Sequence, residues 1–321
     1  MPSTSRRSAL QAIPAAALAF RPARAAAWPD RPLRLMVPFP PGGGVDLTGR
    51  LLAERLEPAL GQPVVVENRA GVGGALGLEA AARAAPDGHT LCMTSGGNVT
   101  IGPLVRAAPY DPLALTHVAR VSTSPLILIC RRDFPARDLR GFVSRLRAEP
   151  AAVRFASGGV GTATHLAGEL LNQRLGVRMA HVPYRGTAPA VTDVVAGNVD
   201  VFFSDVSAWQ TVEGGGARLL AVSTAARWSR SPATPPVAEE VPGFDVVNWY
   251  GVAAPPGVPA AVTERLQAEI ARAAEAPPVR ERLAATGFDA GFLPPAPFAE
   301  FLRREVALWR AVVAAANVRA D

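Results

Sequence analysis

Apolar runs the length of a strand alternate with amphipathic helical segments along most of the chain. The first apolar run, Leu33 to Val37, is long enough for a buried strand and too short for a helix. Three prolines and the glycines Gly42 to Gly44 follow it, and from Val45 the apolar residues recur with helical spacing. Because this order of strand, turn and helix returns several times, the sequence predicts an α/β protein with a mostly parallel sheet.

Further strands are predicted wherever a short apolar run is bounded by turn residues. These runs lie at 63–67, 90–94, 125–130, 153–156, 179–182, 199–203, 219–222 and 246–253. After the last of them the pattern changes, because apolar residues recur with helical spacing in three successive segments. These segments lie at 262–273, 279–285 and 298–313. The chain therefore ends in helices rather than in another strand.

Small and polar turns follow five of the predicted strands, at 40–46, 95–98, 157–165, 184–186 and 204–205. In open α/β sheets ligands lie beyond the carboxyl ends of the strands, so these turns are expected to meet at one rim. They offer backbone N–H groups, hydroxyls and helix N-termini, which suit an anion. Each turn alone is compatible with plain turn chemistry. Together they predict a ligand site, in which we include Ser95, Asn98 and Tyr184.

The glycine-rich loops do not match the nucleotide-binding motifs. A phosphate loop ends in Gly-Lys-Ser/Thr, and the chain contains no lysine, which also excludes Schiff-base chemistry. Leu47 and Leu76 stand where a dinucleotide fingerprint has a glycine. The four histidines and two cysteines form no HExxH or CxxC pattern, so we expect neither a metal site nor a cofactor.

Residues 1–27 have the composition of an export signal. The twin arginines Arg6 and Arg7 precede an alanine-rich stretch, and small residues end at Ala27. We expect cleavage near Ala27 and a periplasmic mature protein. The alternative is an alanine- and arginine-rich tail without a targeting role.

Composition limits the remaining function classes. A chain of 321 residues with 49% hydrophobic content can bury a large core and is expected to form two domains. Removing the four arginines of 1–27 from a net charge of +6 leaves 6 − 4 = +2, and no cluster of arginines and aromatics indicates nucleic-acid binding. Cys92 and Cys130 lie in apolar runs, where they are either buried thiols or one disulfide.

Six segments carry a resemblance to a known family. They are VPFPPGGGVD (37–46), VENRAGVGG (66–74), PYDP (109–112), HLAGEL (165–170), HVPYRGTAPAVTDVVAGNVD (181–200) and NWYGVAAPPGVP (248–259). With them the chain resembles the Bug family, the periplasmic solute-binding proteins of tripartite tricarboxylate transporters. The similarity extends from about Trp28 to the C-terminus, and the 181–200 segment is the most specific.

The resemblance implies a type II periplasmic binding protein fold, in which two α/β domains enclose a ligand cleft. Residues 28–124 with 249–321 would form domain I, and residues 125–248 domain II. The segments SPLILIC (124–130) and VVNWYGV (246–252) would be the two crossovers between them.

The resemblance also implies a site in which backbone N–H groups and ordered water hold a carboxylate. The matching positions in this chain are Pro40, Gly42, Gly43 and Asp46 on the first glycine loop, and Ser157, Gly158, Gly161, Thr162, His165, Ser204 and Asp205 on the other domain. The chain departs from the family at Pro41, usually an alanine, at Arg185, often a lysine, and in the loop 231–236.

The implied function is the capture of a small organic carboxylate and its delivery to the permease subunits of a membrane transporter, without catalysis. We expect no nucleic-acid partner and a monomer. Two rivals stay open. An exported hydrolase would use Ser157, His165 and Asp205, although Ser157 is not in a G-x-S-x-G motif. A sensory accessory protein would present the same ligand to a receptor.

Overall fold

The computed structural model describes residues 28–319, so the proposed export signal lies outside the described residues. The strands are β1 (Leu33–Val37), β2 (Val64–Asn68), β3 (Thr90–Ser95), β4 (Thr116–Pro125), β5 (Ile127–Arg131), β6 (Arg154–Ser157), β7 (Ala180–Pro183), β8 (Val201–Ser204), β9 (Ala217–Val222), β10 (Val247–Ala254) and β11 (Asp289–Leu293). The helices are α1 (Gly44–Leu60), α2 (Ala75–Ala82), α3 (Gly102–Val105), α4 (Leu139–Ala148), α5 (Ala163–Leu175), α6 (Thr187–Ala196), α7 (Trp209–Glu213), α8 (Ala260–Glu275), α9 (Pro277–Ala285) and α10 (Pro295–Ala316).

Two sheets organise these elements into two lobes. The first lobe has a six-stranded sheet in the order β11-β4-β10-β3-β1-β2, and the second lobe has a five-stranded sheet in the order β7-β6-β8-β5-β9. The chain leaves the first sheet through β4, continues after Leu126 as β5 of the second sheet, and returns through β10. The expected two-domain α/β fold with two crossover segments is therefore confirmed.

Both sheets are mixed, and the expectation of a mostly parallel sheet was wrong. In the first sheet only the pairs β1–β2 and β1–β3 are parallel, whereas β10 is antiparallel to both β3 and β4. In the second sheet β5 is antiparallel to both β8 and β9. The physical reason is the crossover, because β4 and β10 carry the chain between the lobes in opposite directions and pair along their length.

Two strands escaped the sequence analysis. β4 carries buried serines, Ser122 and Ser124, where a strand in a core normally has apolar residues. The Ser122 hydroxyl is satisfied by Thr48 of α1, with 3.3 Å between the two oxygens. β11 is an edge strand whose residues are exposed or half-buried, so its apolar signal is weak.

The crossover is fastened by Ser223, which follows β9. Its backbone N–H donates to the Leu126 carbonyl at 2.9 Å, and its Oγ accepts from the Leu126 N–H at 2.8 Å. The same hydroxyl donates to the Val246 carbonyl at 2.6 Å, just before β10. Ser223 is fully buried, so one side chain connects the two strands that join the lobes.

Replacing Ser223 with alanine is expected to lower the free energy of unfolding by about 1–3 kcal/mol, because the Leu126 N–H would be left buried and unpaired. Urea denaturation of the two proteins measures this difference. Ser144→Ala is the matched control, since Ser144 is exposed on α4. Equal losses in the two variants would contradict the role given to Ser223.

The last helix contacts both lobes. Phe298 and Leu302, in its first half, pack with Met36 and Trp249 of the first lobe. Trp309 and the residues after it belong to the core of the second lobe. Glu305 lies between the halves and accepts hydrogen bonds from the indole N–H groups of both Trp249 and Trp309, at 3.2 and 3.0 Å. α10 is therefore a third link between the lobes.

We propose the domain boundaries 28–124 with 249–321, and 125–248, with the second half of α10 lying against the second domain. Cys92 in β3 and Cys130 in β5 are free, buried thiols in different sheets, which closes the disulfide alternative. Among residues 28–319, no helix combines the length and the apolar character needed to cross a membrane.

Candidate functional site

The first loop, residues 38–43, joins β1 to α1 and is exposed at its tip. Gly42 has a φ of 89°, which favours glycine strongly, so a residue with a side chain would be strained there. Its N–H donates to Asp46 Oδ2 at 3.0 Å. Because this bond spans only four residues, the glycines and the carboxylate of PPGGGVD act together as one local turn.

Asp46 is buried and clamps the loop from behind. Its Oδ2 also accepts from Arg50 Nε at 3.0 Å, and its Oδ1 accepts from Asn68 Nδ2 at 2.8 Å. Asn68 in turn donates to the carbonyl of Phe39 at 3.1 Å. Burial alone would raise the pKa of the Asp46 carboxyl, but the hydrogen bonds from Arg50, Gly42 and Asn68 outweigh it and lower that pKa. Asp46 therefore shapes the loop and has little capacity left for a ligand.

The N-terminus of α1 is the exposed donor group of this loop. Gly43 is its N-cap residue and no side chain caps the helix there. The N–H groups of the first turn and the positive end of the helix dipole favour an anion at this point. Gly44 lets this turn approach its neighbours closely, since a Cβ on it would lie 2.6 Å from the Tyr250 hydroxyl and 2.7 Å from Phe288.

The end of β3 stands beside the first loop. Asn98 Oδ1 accepts from the Ser95 N–H at 2.8 Å, which closes the turn. Its Nδ2 is buried and has no hydrogen-bond partner among the described residues. Gly74 lets the two regions approach each other closely, because a Cβ there would lie 2.9 Å from Phe39 and 3.1 Å from the Asn98 side chain. Asn98 thus supplies an unused donor next to the first loop.

The second loop, residues 157–162, joins β6 to α5 in the other lobe. Thr162 caps α5 by accepting from the His165 N–H at 3.3 Å, and its hydroxyl donates to the Gly159 carbonyl at 2.7 Å. The N–H of Gly158 donates to Thr164 Oγ1 at 2.9 Å. The positive φ angles of Gly159 and Gly161 allow this tight path. Most polar groups of the second loop are therefore used in hydrogen bonds that fix the conformation of the loop itself.

Two histidines lie behind the second loop. The Gly161 N–H donates to His165 Nδ1 at 3.1 Å, and His165 is buried rather than exposed to the cleft. Ser157 Oγ lies 2.7 Å from His181 Nε2, and the two imidazole rings stack with their centroids 3.9 Å apart. The structure thus places His165 where it supports the loop backbone.

The remaining predicted residues come together at the start of α6. The Tyr184 N–H donates to the Ser157 carbonyl at 3.0 Å, while its hydroxyl turns away to donate to Asp193 at 2.6 Å. Asp205 accepts from Thr187 Oγ1 and from the Ser207 N–H. Ser204 Oγ is fully buried and has no hydrogen-bond partner among the described residues.

The two lobes meet around these loops. A Cβ on Gly161 would lie 2.5 Å from Val105 of α3, so the second loop touches the first lobe. On the other side, Trp228 Nε1 donates to the Gly287 carbonyl at 3.1 Å. Tyr250 of the first lobe lies close to Asp205 of the second lobe. Burial raises the pKa of the Tyr250 phenol, and the nearby charge of Asp205 adds to the rise. Tyr250, on a crossover strand and against Gly44, therefore connects the first loop with the second lobe.

Sequence reasoning missed Tyr250 and Thr187. Tyr250 lies in an apolar strand run, where an aromatic residue is usually part of a core, and it is indeed 95% buried. Its hydroxyl lies next to Gly44 at the N-terminus of α1, although β10, which carries Tyr250, is far from α1 in the sequence. Thr187 follows Gly186, the N-cap residue of α6, which has a φ of 115° and provides no side-chain cap. The uncapped helix start was the signal available for Thr187.

The hydrolase arrangement is not assembled. Ser157 is fully buried and contacts His181, whereas His165 uses Nδ1 to accept from Gly161. Asp205 is engaged by Thr187 and Ser207 instead of orienting either imidazole. A nucleophile needs access to its substrate and a base that is itself oriented, and these three residues do not meet that requirement.

Acidification is expected to destabilise the fold through His181. Burial, and then the neighbouring His165, lower the pKa of His181 to about 4, with Glu169 opposing. The unfolded chain takes up this proton near pH 6.5, so between the two values it binds more protons and the free energy of unfolding falls as the pH falls. For a half-buried ring we expect a loss of roughly 1–2 kcal/mol.

Urea denaturation at pH 7.5 and 4.5 measures this loss. His181→Gln should show a smaller loss than the wild type, because the glutamine does not titrate. Ser144→Ala, an exposed change on α4 that removes no titratable group, is the control and should keep the wild-type loss. Equal losses in wild type and His181→Gln would show that another group is responsible.

Comparison with known proteins gives this site its context. The family model of the tripartite tricarboxylate transporter family receptor, TctC, matches residues 48–318. BugT of Bordetella pertussis is 35% identical over 297 residues, which cover 91% of each chain.

Two solved structures share the fold and carry ligands. Rpa4515 of R. palustris, solved with adipate, is 30% identical with a TM-score of 0.83, over 91% of this chain and 99% of that one. MatC of Rhodopseudomonas palustris, solved with bound malate, is 33% identical with a TM-score of 0.76, over 89% and 99%.

The TM-scores show that this chain shares its overall fold with these two solved structures. The resemblance to the Bug proteins is therefore confirmed. The chain belongs to the TctC family of tripartite tricarboxylate transporter receptors and is a periplasmic solute-binding protein by that membership.

Proposed function

We propose that this protein captures a small organic carboxylate between the first and second loops and delivers it to the permease subunits of a tripartite tricarboxylate transporter. The observation that carries the proposal is the N-terminus of α1, which no side chain caps and which directly follows the exposed glycines Gly42 and Gly43. Adipate and malate, the ligands of two structural relatives, are both dicarboxylates.

The candidate residues divide into two roles in this proposal. The N–H groups of Gly43 and the first turn of α1, the Asn98 amide and the Ser204 hydroxyl have donors to offer a carboxylate. Other residues shape the loops by bonding to their backbone: Gly42, Asp46, Ser95, Ser157, Gly158, Gly161, Thr162, His165, Tyr184 and Asp205. Pro40, on the exposed tip, stiffens the first loop.

Binding through neutral donors avoids the cost of burying an unpaired charge on the protein. Arg50, which lies on α1 behind the first loop, already bonds Asp46 and Asn68. The site is therefore suited to hold and release an anion, and we propose that the protein performs no chemistry on it.

A thermal-shift screen against mono-, di-, tri- and aromatic acids tests the proposal. A ligand at about a hundred times its Kd stabilises the native state by roughly 2.7 kcal/mol. We expect a clear shift with dicarboxylates. The protein is unfolded and refolded before the screen, so that a co-purified ligand cannot mask the response. The absence of any shift after refolding would overturn carboxylate capture.

Closure of the lobes is the second part of the proposal, since a permease must distinguish the loaded protein from the empty one. Small-angle scattering should show a smaller radius of gyration after the shifting acid is added. An unchanged radius with saturating ligand would contradict closure.

We further propose that the protein is exported as a precursor, is cleaved near Ala27, and acts as a monomer. N-terminal sequencing of periplasmic protein should begin near Trp28. A retained Met1 or Pro2 would contradict cleavage.

A further inference from the structure

The support behind the second loop consists of two aromatic rings that are both able to titrate. His165 comes from the first turn of α5 and His181 from β7, and the rings lie nearly parallel, 13° apart, at 3.9 Å. Phe155 of β6 stacks on His181 at 4.8 Å. This stack lies directly beneath the loop that the proposed function assigns to ligand binding.

Each ring bonds the loop through a nitrogen. His165 Nδ1 accepts the Gly161 N–H, so this nitrogen carries no proton in the folded state. His181 Nε2 bonds Ser157 Oγ, and the same hydroxyl accepts the Gly159 N–H at 3.2 Å. The path of 157–162 therefore depends on two hydrogen bonds made by imidazoles.

A proton on Nδ1 of His165 disturbs this arrangement directly. Protonated His165 would present an N–H to the N–H of Gly161, and donor would then face donor. A charge on one ring also lies 3.9 Å from the other, so the two rings resist carrying charges together. The stacked geometry is consistent with a neutral pair.

The charged groups around the pair are few. On α5, Glu169 Oε1 lies 3.6 Å from His165 Nε2, and its other oxygen accepts from Asn172 at 3.2 Å. On β6, Arg154 is engaged by Asp200. Arg178, before β7, lines a groove with Glu169, and α10 contributes Val312, Ala315, Ala316 and Asn317 to that groove. Glu169 is therefore the acidic side chain that faces the pair most closely.

We propose that His165 and His181 are positioning residues that hold the second loop for ligand only while both rings are neutral, so that acid weakens binding. The inference rests on the proposed function for its effect on ligand, although its effect on the loop does not. The expected pH dependence of the affinity is opposite to that of a simple electrostatic attraction. A positively charged pair that merely attracted an anion would strengthen binding in acid, whereas loss of the loop's support weakens it.

The first test needs no ligand. In the refolded, ligand-free protein, the amide NMR signals of Gly159 and Gly161 should move between pH 8 and pH 3.5, with the midpoints of the His165 and His181 ring signals. His89→Gln, a control in the first lobe, should leave these midpoints unchanged. Amide signals that stay in place while the rings titrate would overturn the proposal, whatever the protein binds.

The second test uses conservative variants and two probes, malate and adipate. His165→Asn keeps an acceptor near the Nδ1 position, and His181→Gln keeps a polar atom near the Nε2 position, but neither side chain titrates. Calorimetric affinities are measured at pH 8 and 4.5 for the wild type, the two single variants and the double variant that combines them. Comparison with the wild type cancels the titration of the acids themselves.

We expect the wild-type affinity to fall by up to about tenfold for each pH unit below the titration midpoint, relative to the double variant. Whatever its affinity at pH 8, the double variant should lose less of that affinity in acid than the wild type does. Tighter wild-type binding in acid, or the same pH dependence in both proteins, would overturn the proposal. If neither acid binds at pH 8, the proposed choice of ligand fails, and the amide titration still decides the role of the two histidines.

Discussion

Replacing Gly44 with alanine is expected to lower both the stability of the protein and its affinity for a carboxylate. The added methyl group would lie 2.6 Å from the Tyr250 hydroxyl and 2.7 Å from the Phe288 ring, both of them buried. Overpacking of this kind costs about 1–3 kcal/mol. Alanine's better helix propensity returns at most about 1 kcal/mol, so the loss should prevail.

The affinity should fall more than the stability suggests, because relief of the clash moves the first turn of α1. One charge-assisted hydrogen bond is worth about 1.5–3 kcal/mol. Losing its alignment weakens binding by roughly 10- to 100-fold. Calorimetry and urea denaturation measure the two effects separately.

Gly43→Ala is the matched control for stability. Its Cβ would meet nothing within 4 Å and its φ is −81°, which alanine adopts readily. We expect the melting temperature of this variant to equal that of the wild type. A stable Gly44→Ala protein with wild-type affinity would contradict the close approach of Tyr250 and α1.

Replacing Asp46 with asparagine is expected to have the second large effect. An asparagine has the same shape, but its NH₂ group would face either the donors of Gly42 and Arg50 or the donor of Asn68. We expect a loss of about 2–3 kcal/mol in the free energy of unfolding, in the range for a charged, partly buried hydrogen-bond acceptor. Affinity for carboxylates should fall as well, because the first loop loses its support.

The pH dependence of the stability difference between the wild type and Asp46→Asn distinguishes the Asp46 carboxylate from other titrating groups. The folded pKa of Asp46 lies below its ordinary value of 3.8, so its stabilisation is fully present above that value. It is lost as the pH falls through the folded pKa. The wild-type advantage over Asp46→Asn should therefore shrink only below about pH 4. Glu57→Gln, an exposed change of the same charge on α1, is the control and should cost little.

Local features were predictable because their cause is local. β1, the glycines and α1 follow one another within thirty residues, and their order can be read directly from apolar spacing and turn residues. The candidate site lies at these turns because the strands β1, β3 and β6 end there. The family motifs added the pairing of the two loops.

What escaped prediction depends on contacts between distant segments. Asp46 appears in the sequence as a helix-start carboxylate or a ligand residue, and its function as a clamp depends on Asn68, 22 positions away. The sequence predicts His165 as a ligand residue, but in the structure His181 of β7 stacks on its imidazole ring. β4 escaped because the partner of its buried Ser122 lies on α1. No spacing rule within a single segment reveals such pairs.

The structure of the protein with its bound acid tests the central claim most directly. The acid with the largest thermal shift is added to refolded protein, and the complex is crystallised. We expect one carboxylate to lie about 2.7–3.2 Å from the N–H groups of residues 43–46, or to be joined to them by a single water. A carboxylate held instead by an arginine, or in the groove between α5 and α10, would contradict it.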